Sequence, residues 1–415
     1  MSLLYNVAIY VYAAGVRLAA IKHRKAALMV QGHRETLARI AEVRRNVAPE
    51  GFDVWIHAAS LGEFEQARPL ISMIRRQQPH KRILLSFFSP SGYTVRHAYP
   101  DVDLVVYLPF DTPHNARRFV EAVNPKVAIF VKYEFWRNML GQLSRHDIPT
   151  YLISAIFRPS QIFFKPWGGM MRRALRSFTH IYVQDEASKQ LLGTIGYDAV
   201  DVVGDTRLDQ VIDTRAHAKV FPSLDMWTSG SGMTIVAGSS WPQDEVYYIP
   251  WLKEHPEVRA IIAPHEFDDK RLCALVSELG GPEVAALWSQ IKDLASVPAQ
   301  VRYIVVDCFG ILSSLYKYGQ IAIVGGGFGA GIHNIPEAAV YGMPVIFGPH
   351  HNKFREATDL LRLGGAFTYN DAAGFAAAID PLYSDSSVLR TASAAAADYI
   401  ESHTGATPRI FADIF

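Results

Sequence analysis

Residues 321–349 read IAIVGGGFGAGIHNIPEAAVYGMPVIFGP. Ile321–Val324 has the length and β-branched content of a buried strand. The next seven residues, Gly325 to Gly331, contain five glycines. A helical pattern then carries Asn334 and Glu337 three residues apart, on one face. Gly342 stops that helix, and Pro344 admits the next strand, Val345–Phe347. Strand, glycine turn, helix and strand make one βαβ unit. Its glycines let backbone amides approach a phosphate at the helix N-terminus. A carboxylate one turn inside the helix is placed to accept both hydroxyls of a ribose. A glycine run alone is a weak signal; joined to His333-Asn334-x-x-Glu337-Ala338 and Gly342-x-Pro344-Val345 it is a specific one.

The same alternation extends in both directions. Val54–His57, Arg82–Phe87, Leu104–Leu108, Val127–Val131, Tyr151–Ser154 and Ile181–Gln184 read as buried strands, separated by helical patterns such as Phe64–Gln77, Pro113–Ala122 and Phe135–Arg145. The pattern loosens between Asp205 and Gly232, then restarts with Thr234–Ala237, Ala260–Ala263, Tyr303–Val306, Ile321–Val324 and Val345–Phe347. The expected architecture is α/β, two Rossmann-like domains whose parallel sheets face an interdomain cleft. A chain of 415 residues is long enough for that. The expected segments are an N-terminal membrane-associated helix (1–30), a first domain (31–205), a linker (206–232) and a second domain with C-terminal helices (233–415). In open parallel sheets, ligands sit outside the carboxyl ends of the strands.

Composition narrows the function. With 41 Lys+Arg against 40 Asp+Glu, the net charge of +1 provides no cationic field for nucleic acid. Two distant cysteines, Cys273 and Cys308, exclude a disulfide framework and a cysteine zinc site. Charge and apolarity separate only at the start. Leu3–Val16 is apolar apart from Asn6, and residues 1–50 hold eight Lys/Arg against three Asp/Glu. The run is too short to span, where roughly 20 residues are needed. With Tyr5, Tyr10 and Tyr12 and its cationic flank, it reads as an interfacial anchor on a membrane surface, or as a helix packed on its own domain.

Further clusters stand at strand ends. His57-Ala58-Ala59-Ser60-Leu61-Gly62-Glu63-Phe64 opens a helix, where Ser60-x-x-Glu63 fits a capping box as well as a carboxylate at the mouth of a cleft. Lys132-Tyr133-Glu134-Phe135-Trp136 follows the strand Val127–Val131; it reads either as a site or as a surface ion pair among aromatics. Ala237-Gly238-Ser239-Ser240-Trp241 is a small-residue turn able to hold phosphate, and Ala263-Pro264-His265-Glu266 follows the next strand. Ile162 to Arg173 sets aromatics beside Arg172 and Arg173, which suits an acyl chain and its phosphates, or a partly buried loop. Asp101-Val102-Asp103 precedes a strand and reads as a loop, so no metal site is expected.

Ala59-Ser60-Leu61-Gly62-Glu63-Phe64-Glu65, Lys132–Trp136, Gly204-Asp205-Thr206-Arg207-Leu208-Asp209 and residues 325–349 together resemble the 3-deoxy-D-manno-octulosonic acid (Kdo) transferase family over nearly the whole chain. The resemblance implies a GT-B fold and a metal-independent, inverting glycosyltransferase that needs no cofactor. It further implies that Kdo passes from CMP-Kdo to a lipid A precursor (lipid IVA) at the cytoplasmic face of the cell inner membrane, in lipopolysaccharide core biosynthesis. It makes Glu63 the general base and Glu134 an essential acid. Ser239, His265, Gly326, Gly327, Asn334 and Glu337 become donor contacts, with Glu337 on the ribose. Ser60, Gly62, Lys132, Arg172 and Arg173 become acceptor contacts. Where family members often carry Arg after the second strand of the C-terminal domain, this chain has Pro264-His265-Glu266. His265, or more weakly Arg207, is left as the cation for the phosphate. Two rival readings stand beside it: a transferase or epimerase of the same fold using a UDP or GDP sugar, and a membrane-associated scaffold without catalysis.

Overall fold

The computed structural model describes residues 2–229 and 232–415; residues 1, 230 and 231, which belong to the expected anchor and linker, lie outside the described residues. The chain forms two α/β units, Met1–Gln210 with Thr404–Phe415, and Val211–His403.

The first unit has seven strands: β1 (Val54–Ala58), β2 (Ile83–Phe87), β3 (Leu104–Tyr107), β4 (Val127–Val131), β5 (Thr150–Ala155), β6 (His180–Val183) and β7 (Val200–Val202). All pair in parallel, in the order β3-β2-β1-β4-β5-β6-β7. β1, β2 and β4 are buried at every residue, which is why they read as nearly continuous apolar runs, interrupted only by His57 and Ser86. Their side chains alternate between two cores. Trp55, Ala128 and Phe130 pack with Phe119 and Leu140 on one face. Val54, Ile56, Val127 and Ile129 pack with Phe64 and Ile71 on the other. The direction of winding reverses between β1 and β4, so the carboxyl ends of these two strands form the switch point where such sheets hold ligands.

The second unit repeats the plan with β8 (Met233–Ser240), β9 (Val258–Pro264), β10 (Ala285–Leu287), β11 (Tyr303–Val305), β12 (Ile321–Val324), β13 (Val345–Phe347) and β14 (Ala366–Thr368). The order is β10-β11-β9-β8-β12-β13-β14, again all parallel, and the switch point falls between β8 and β12. β7, β10 and β14 have no counterpart in the expected strand list. Each has three residues and sits at a sheet edge with one partner, so no apolar run announces it.

Two boundaries differ from expectation. The C-terminal helix Ala406–Ile414 does not stay with residues 233–403. Its Ile410 is buried among Phe64, Ala67 and Leu70 of the first unit, and Asp209 accepts the N–H groups of Gly405 and Thr407 at its start, both at 2.6 Å. The stretch 206–232 is no free linker. Thr206 is buried, its hydroxyl bonding Gln66 O at 2.6 Å and Ser154 Oγ at 2.8 Å in the first unit. Trp227, on the helix Pro222–Ser229, donates to Val301 O at 2.8 Å in the second. The Asp, Thr and Ser that made this segment look loose are the residues that cap and fasten it.

The N-terminal helix Ser2–Ala19 and the helix Arg24–Asn46 meet at 119°. Tyr5 and Ala13 lie against the unit, Tyr5 donating to buried Asp111 Oδ2 at 2.7 Å. The opposite face stays open: Leu3 and Leu4 are each 74% exposed, Val11 67% and Leu18 70%. Among the described residues, no single helix is long and apolar enough to cross a membrane.

Candidate active site

At the first switch point, β1 ends at Ala58, and Ser60 stands two residues on at the N-cap of the helix Leu61–Gln77 in extended conformation. A capping box would have its hydroxyl accept from the helix backbone. Instead there is no side-chain cap, and Ser60 Oγ donates to Glu63 Oε2 at 2.5 Å. The half-buried Glu63 carboxylate is therefore oriented by Ser60 and is close enough to Tyr133, beyond β4, to help raise that phenol, whose main cause is burial. Gly62, beside it, is exposed. Lys132 follows β4 directly with φ 63°, a left-handed conformation costing about 1–2 kcal/mol in a residue with a Cβ. Its N–H is tied to Ile153 O at 2.9 Å. Backbone strain at a strand end on the switch point marks a site held in a particular shape.

Glu134 has a different environment. It is 8% exposed, and its Oε2 faces His57 Nε2 at 3.0 Å and accepts from Trp136 Nε1. His57 is fully buried on β1, with Nδ1 2.9 Å from Ser86 Oγ, which itself accepts from Trp55 Nε1 at 2.8 Å. With the His57 proton on Nε2, every donor in the chain Trp55, Ser86, His57, Glu134 meets an acceptor. Sequence spacing gave His57 no role; its partner lies 77 residues away and meets it only because β1 and β4 are neighbours.

In the second unit, the loop after β12 meets the end of β8. Gly325 passes so close to Ser239 that a Cβ there would stand 2.2 Å from Ser239 O, and Ser239 itself has φ 51°. Gly326 and Gly331 take φ of 93° and 139°. A cavity of about 410 Å³ opens here, lined by Trp241, Gln243, Asp244, His265, Gly326, Phe328 and His333, among others. The rings of His265 and His333 stack at 4.1 Å, with Trp241 on His265 at 4.8 Å. Trp241 Nε1 donates to His333 Nε2 at 3.0 Å, which places the His333 proton on Nδ1. Burial, with His265 alongside, lowers His333 to about 4, so His333 is neutral at pH 7 and offers no cation. Asp244 Oδ2 accepts the N–H groups of Trp241 and Gly326, both at 3.0 Å. Its buried Oδ1 has no hydrogen-bond partner among the described residues, and a ligand N–H or O–H would satisfy it.

The expected helix after the glycines is one turn, Pro336–Ala339, too short for a useful dipole. Ile332 and Ile335 are buried to anchor the loop, and Gly342 closes the turn at φ 71°. The amides of Gly325, Gly326, Gly329 and Gly331 bond Gly238 O, Asp244 Oδ2 and Gly326 O. Gly327 is packed against Gly348, where a Cβ would come within 2.6 Å. Asn334 donates to Glu337 Oε1 at 2.6 Å, so that pair does meet. Arg207 is engaged by Asp205 at 2.7 Å in the first unit, and His265 lines the cavity of the second. Arg172 fastens the loop 162–168 by donating to Phe163 O and Lys165 O at 2.9 Å, whereas Arg173 is exposed.

The family model described as 3-deoxy-D-manno-octulosonic-acid transferase (kdotransferase) matches residues 24–210, the body of the first unit. The 3-deoxy-D-manno-octulosonic acid transferase of Bordetella pertussis is 27% identical over 386 residues, 88% of this chain and 87% of that protein. The enzyme of the same name from Haemophilus influenzae is 27% identical over 323 residues, 75% and 74% of the two chains. That from Aquifex aeolicus is 27% identical over 320 residues, 75% and 80%. Residues 24–210 carry the Kdo transferase family domain, and most of the chain is similar to Kdo transferases. The chain is by that likeness a glycosyltransferase-type enzyme, and solved structures agree on the fold. The UDP-GlcNAc 2-epimerase of Neisseria meningitidis superposes with a TM-score of 0.59 at 12% identity, covering 86% of this chain and 98% of that one. The glycosyltransferase of kitacinnamycin superposes with 0.53 at 13%, covering 88% and 99%. At such identities the likeness establishes the two-unit GT-B architecture and nothing about substrate.

Proposed function

We propose that the enzyme transfers Kdo from CMP-Kdo to a lipid A precursor (lipid IVA), by a metal-independent, inverting reaction with Glu63 as general base. The acceptor hydroxyl gives its proton to Glu63 as its oxygen bonds the anomeric carbon of Kdo. The bond from that carbon to the CMP phosphate breaks, and CMP departs with the electron pair. The observation that carries this reading is the pair of unlike carboxylates at the first switch point. Glu63 is half-buried and held by a single hydroxyl, free to take a proton. Glu134 is buried, and its Oε2 is already engaged by both His57 and Trp136. Glu134 therefore shapes the acceptor region with Lys132, while Ser60 and Gly62 border the base. On the donor side, Glu337 takes the ribose hydroxyls with Asn334 beside it. His265, the turn at Ser239 and the loop around Gly326 and Gly327 receive the phosphate and sugar.

The same reading puts the enzyme on the cytoplasmic face of the cell inner membrane. The open apolar face of the first helix, with Leu3, Leu4, Val11 and Leu18, suits immersion in the interface. Arg17, Lys22, Arg24 and Lys25 follow it and suit anionic headgroups. Calorimetry with CMP and with UDP tests the donor class. CMP binding with UDP much weaker is expected; UDP binding in preference to CMP would make this a UDP-sugar enzyme.

A further inference from the structure

The helix Arg137–Arg145 presents Arg137, Asn138, Gly141, Gln142 and Arg145 along one stripe, at spacings of one and four residues. That stripe, with Arg173 from the helix Gly169–Leu175, Ser177 just beyond it and Asn6 from the N-terminal helix, lines a cavity of about 370 Å³ in the first unit. Three guanidinium groups thus line one concavity, and no carboxylate does. Arg137 is partly balanced: it lies over the Tyr5 ring at 5.9 Å and feels the charge of buried Asp111. Arg145 and Arg173 are exposed, and neither has an ion pair or hydrogen bond among the described residues. Holding like charges around a cavity with no counter-charge is unfavourable unless an anion completes it.

The mouth is built to keep its shape. Asp111 accepts the N–H groups of Asn138 and Met139 at 2.8 Å, fixing the start of the arginine-bearing helix. Asn138 Nδ2 donates to Asn6 Oδ1 at 2.9 Å, tying the cavity to the helix whose outer face is open and apolar. A ligand here has its charged group among arginines and its remainder beside an apolar helix face. Planar guanidinium forks match phosphate oxygens, and three of them favour a dianion over a diester.

We propose that the Arg137–Arg145–Arg173 cavity binds a phosphomonoester on the headgroup of a lipid. This rests on the reading of the substrate as a phosphorylated glycolipid, and it adds Arg137, Arg145 and Asn6 to its site. The test is equilibrium binding, which needs no turnover. Full-length protein in detergent micelles is titrated with a tetraacylated diglucosamine lipid carrying two phosphomonoesters, with the same lipid after phosphatase treatment, and with inorganic phosphate. Phosphatidylglycerol vesicles are titrated separately. Wild type is expected to bind the bisphosphorylated lipid at least tenfold tighter than the dephosphorylated one. R145Q/R173Q should lose that preference while keeping its melting temperature and its affinity for the dephosphorylated lipid. Inorganic phosphate should compete weakly and only in wild type. The proposal is overturned if the double variant retains the preference. It is equally overturned if the only loss is in binding to phosphatidylglycerol vesicles, which would make the cavity a site for bulk anionic lipid. Failure of the glycosyl transfer itself would show up in a turnover assay and leave these binding differences intact.

Discussion

Replacing Glu63 by Gln separates a general base from a structural carboxylate. The contact at stake in stability is one partly buried hydrogen bond, Ser60 Oγ to Glu63 Oε2 at 2.5 Å. A hydrogen bond of this kind is worth ~0.5–1.5 kcal/mol net, and exposure puts it toward the lower end. Glutamine keeps an oxygen for the Ser60 hydroxyl, so the loss should stay within ~0.5 kcal/mol, about 1–2 °C in melting temperature for a unit of this size. Loss of a general base costs ~10²–10⁴ in rate, equivalent to ~3–5 kcal/mol of transition-state stabilisation. The two scales differ several-fold in energy and in kind. The assay pairs thermal melting and CMP calorimetry with Kdo transfer by the same preparation. Glu63→Gln should melt near wild type, bind CMP normally and transfer hardly at all. Turnover within a few-fold of wild type would refute the reasoning, because the Glu63 carboxylate would then be dispensable.

On the donor side, Glu337→Gln loses the charge that holds a ribose diol, and CMP affinity should fall by ~1–3 kcal/mol by calorimetry. His333 is lowered to about 4 from 6.5, so the fold favours its neutral form; the stability this contributes is complete above pH 6.5 and is lost as pH falls toward 4. Melts of the second unit should therefore weaken across that window, and His333→Gln should flatten the slope. Deleting the first helix would also strip Tyr5 from Asp111. Polar substitutions at Leu3, Leu4 and Val11, on the open face, are the cleaner probe: they should release the protein from anionic vesicles at unchanged melting temperature.

Much of the fold was legible because both sheets are parallel and covered on both faces, which writes β4 and β12 as continuous apolar runs and β1 and β2 as runs broken by one polar residue each. The edge strands β7, β10 and β14 carry no such mark. The helix after the glycine loop, expected to carry Asn334 and Glu337 on one face, is the single turn Pro336–Ala339, and the buried Ile332 and Ile335 before it pin the loop. The return of residues 404–415 to the first unit depends on Asp209 capping a helix almost two hundred positions on, which no local pattern encodes. Motif spelling placed Glu63, Glu134, Ser239 and Gly326 at the two switch points. It gave no role of their own to His57, Asp244 and His333, since their significance lies in partners brought by strand order.

The most direct measurement is the mass of the product. Purified protein is incubated with CMP-Kdo, generated in situ, and a tetraacylated lipid A precursor, and the lipid is weighed. The precursor is expected to gain the mass of one or more Kdo residues with wild type but not with Glu63→Gln. An unchanged precursor in the presence of CMP-Kdo, with a gain of mass from a UDP-sugar instead, would contradict that expectation.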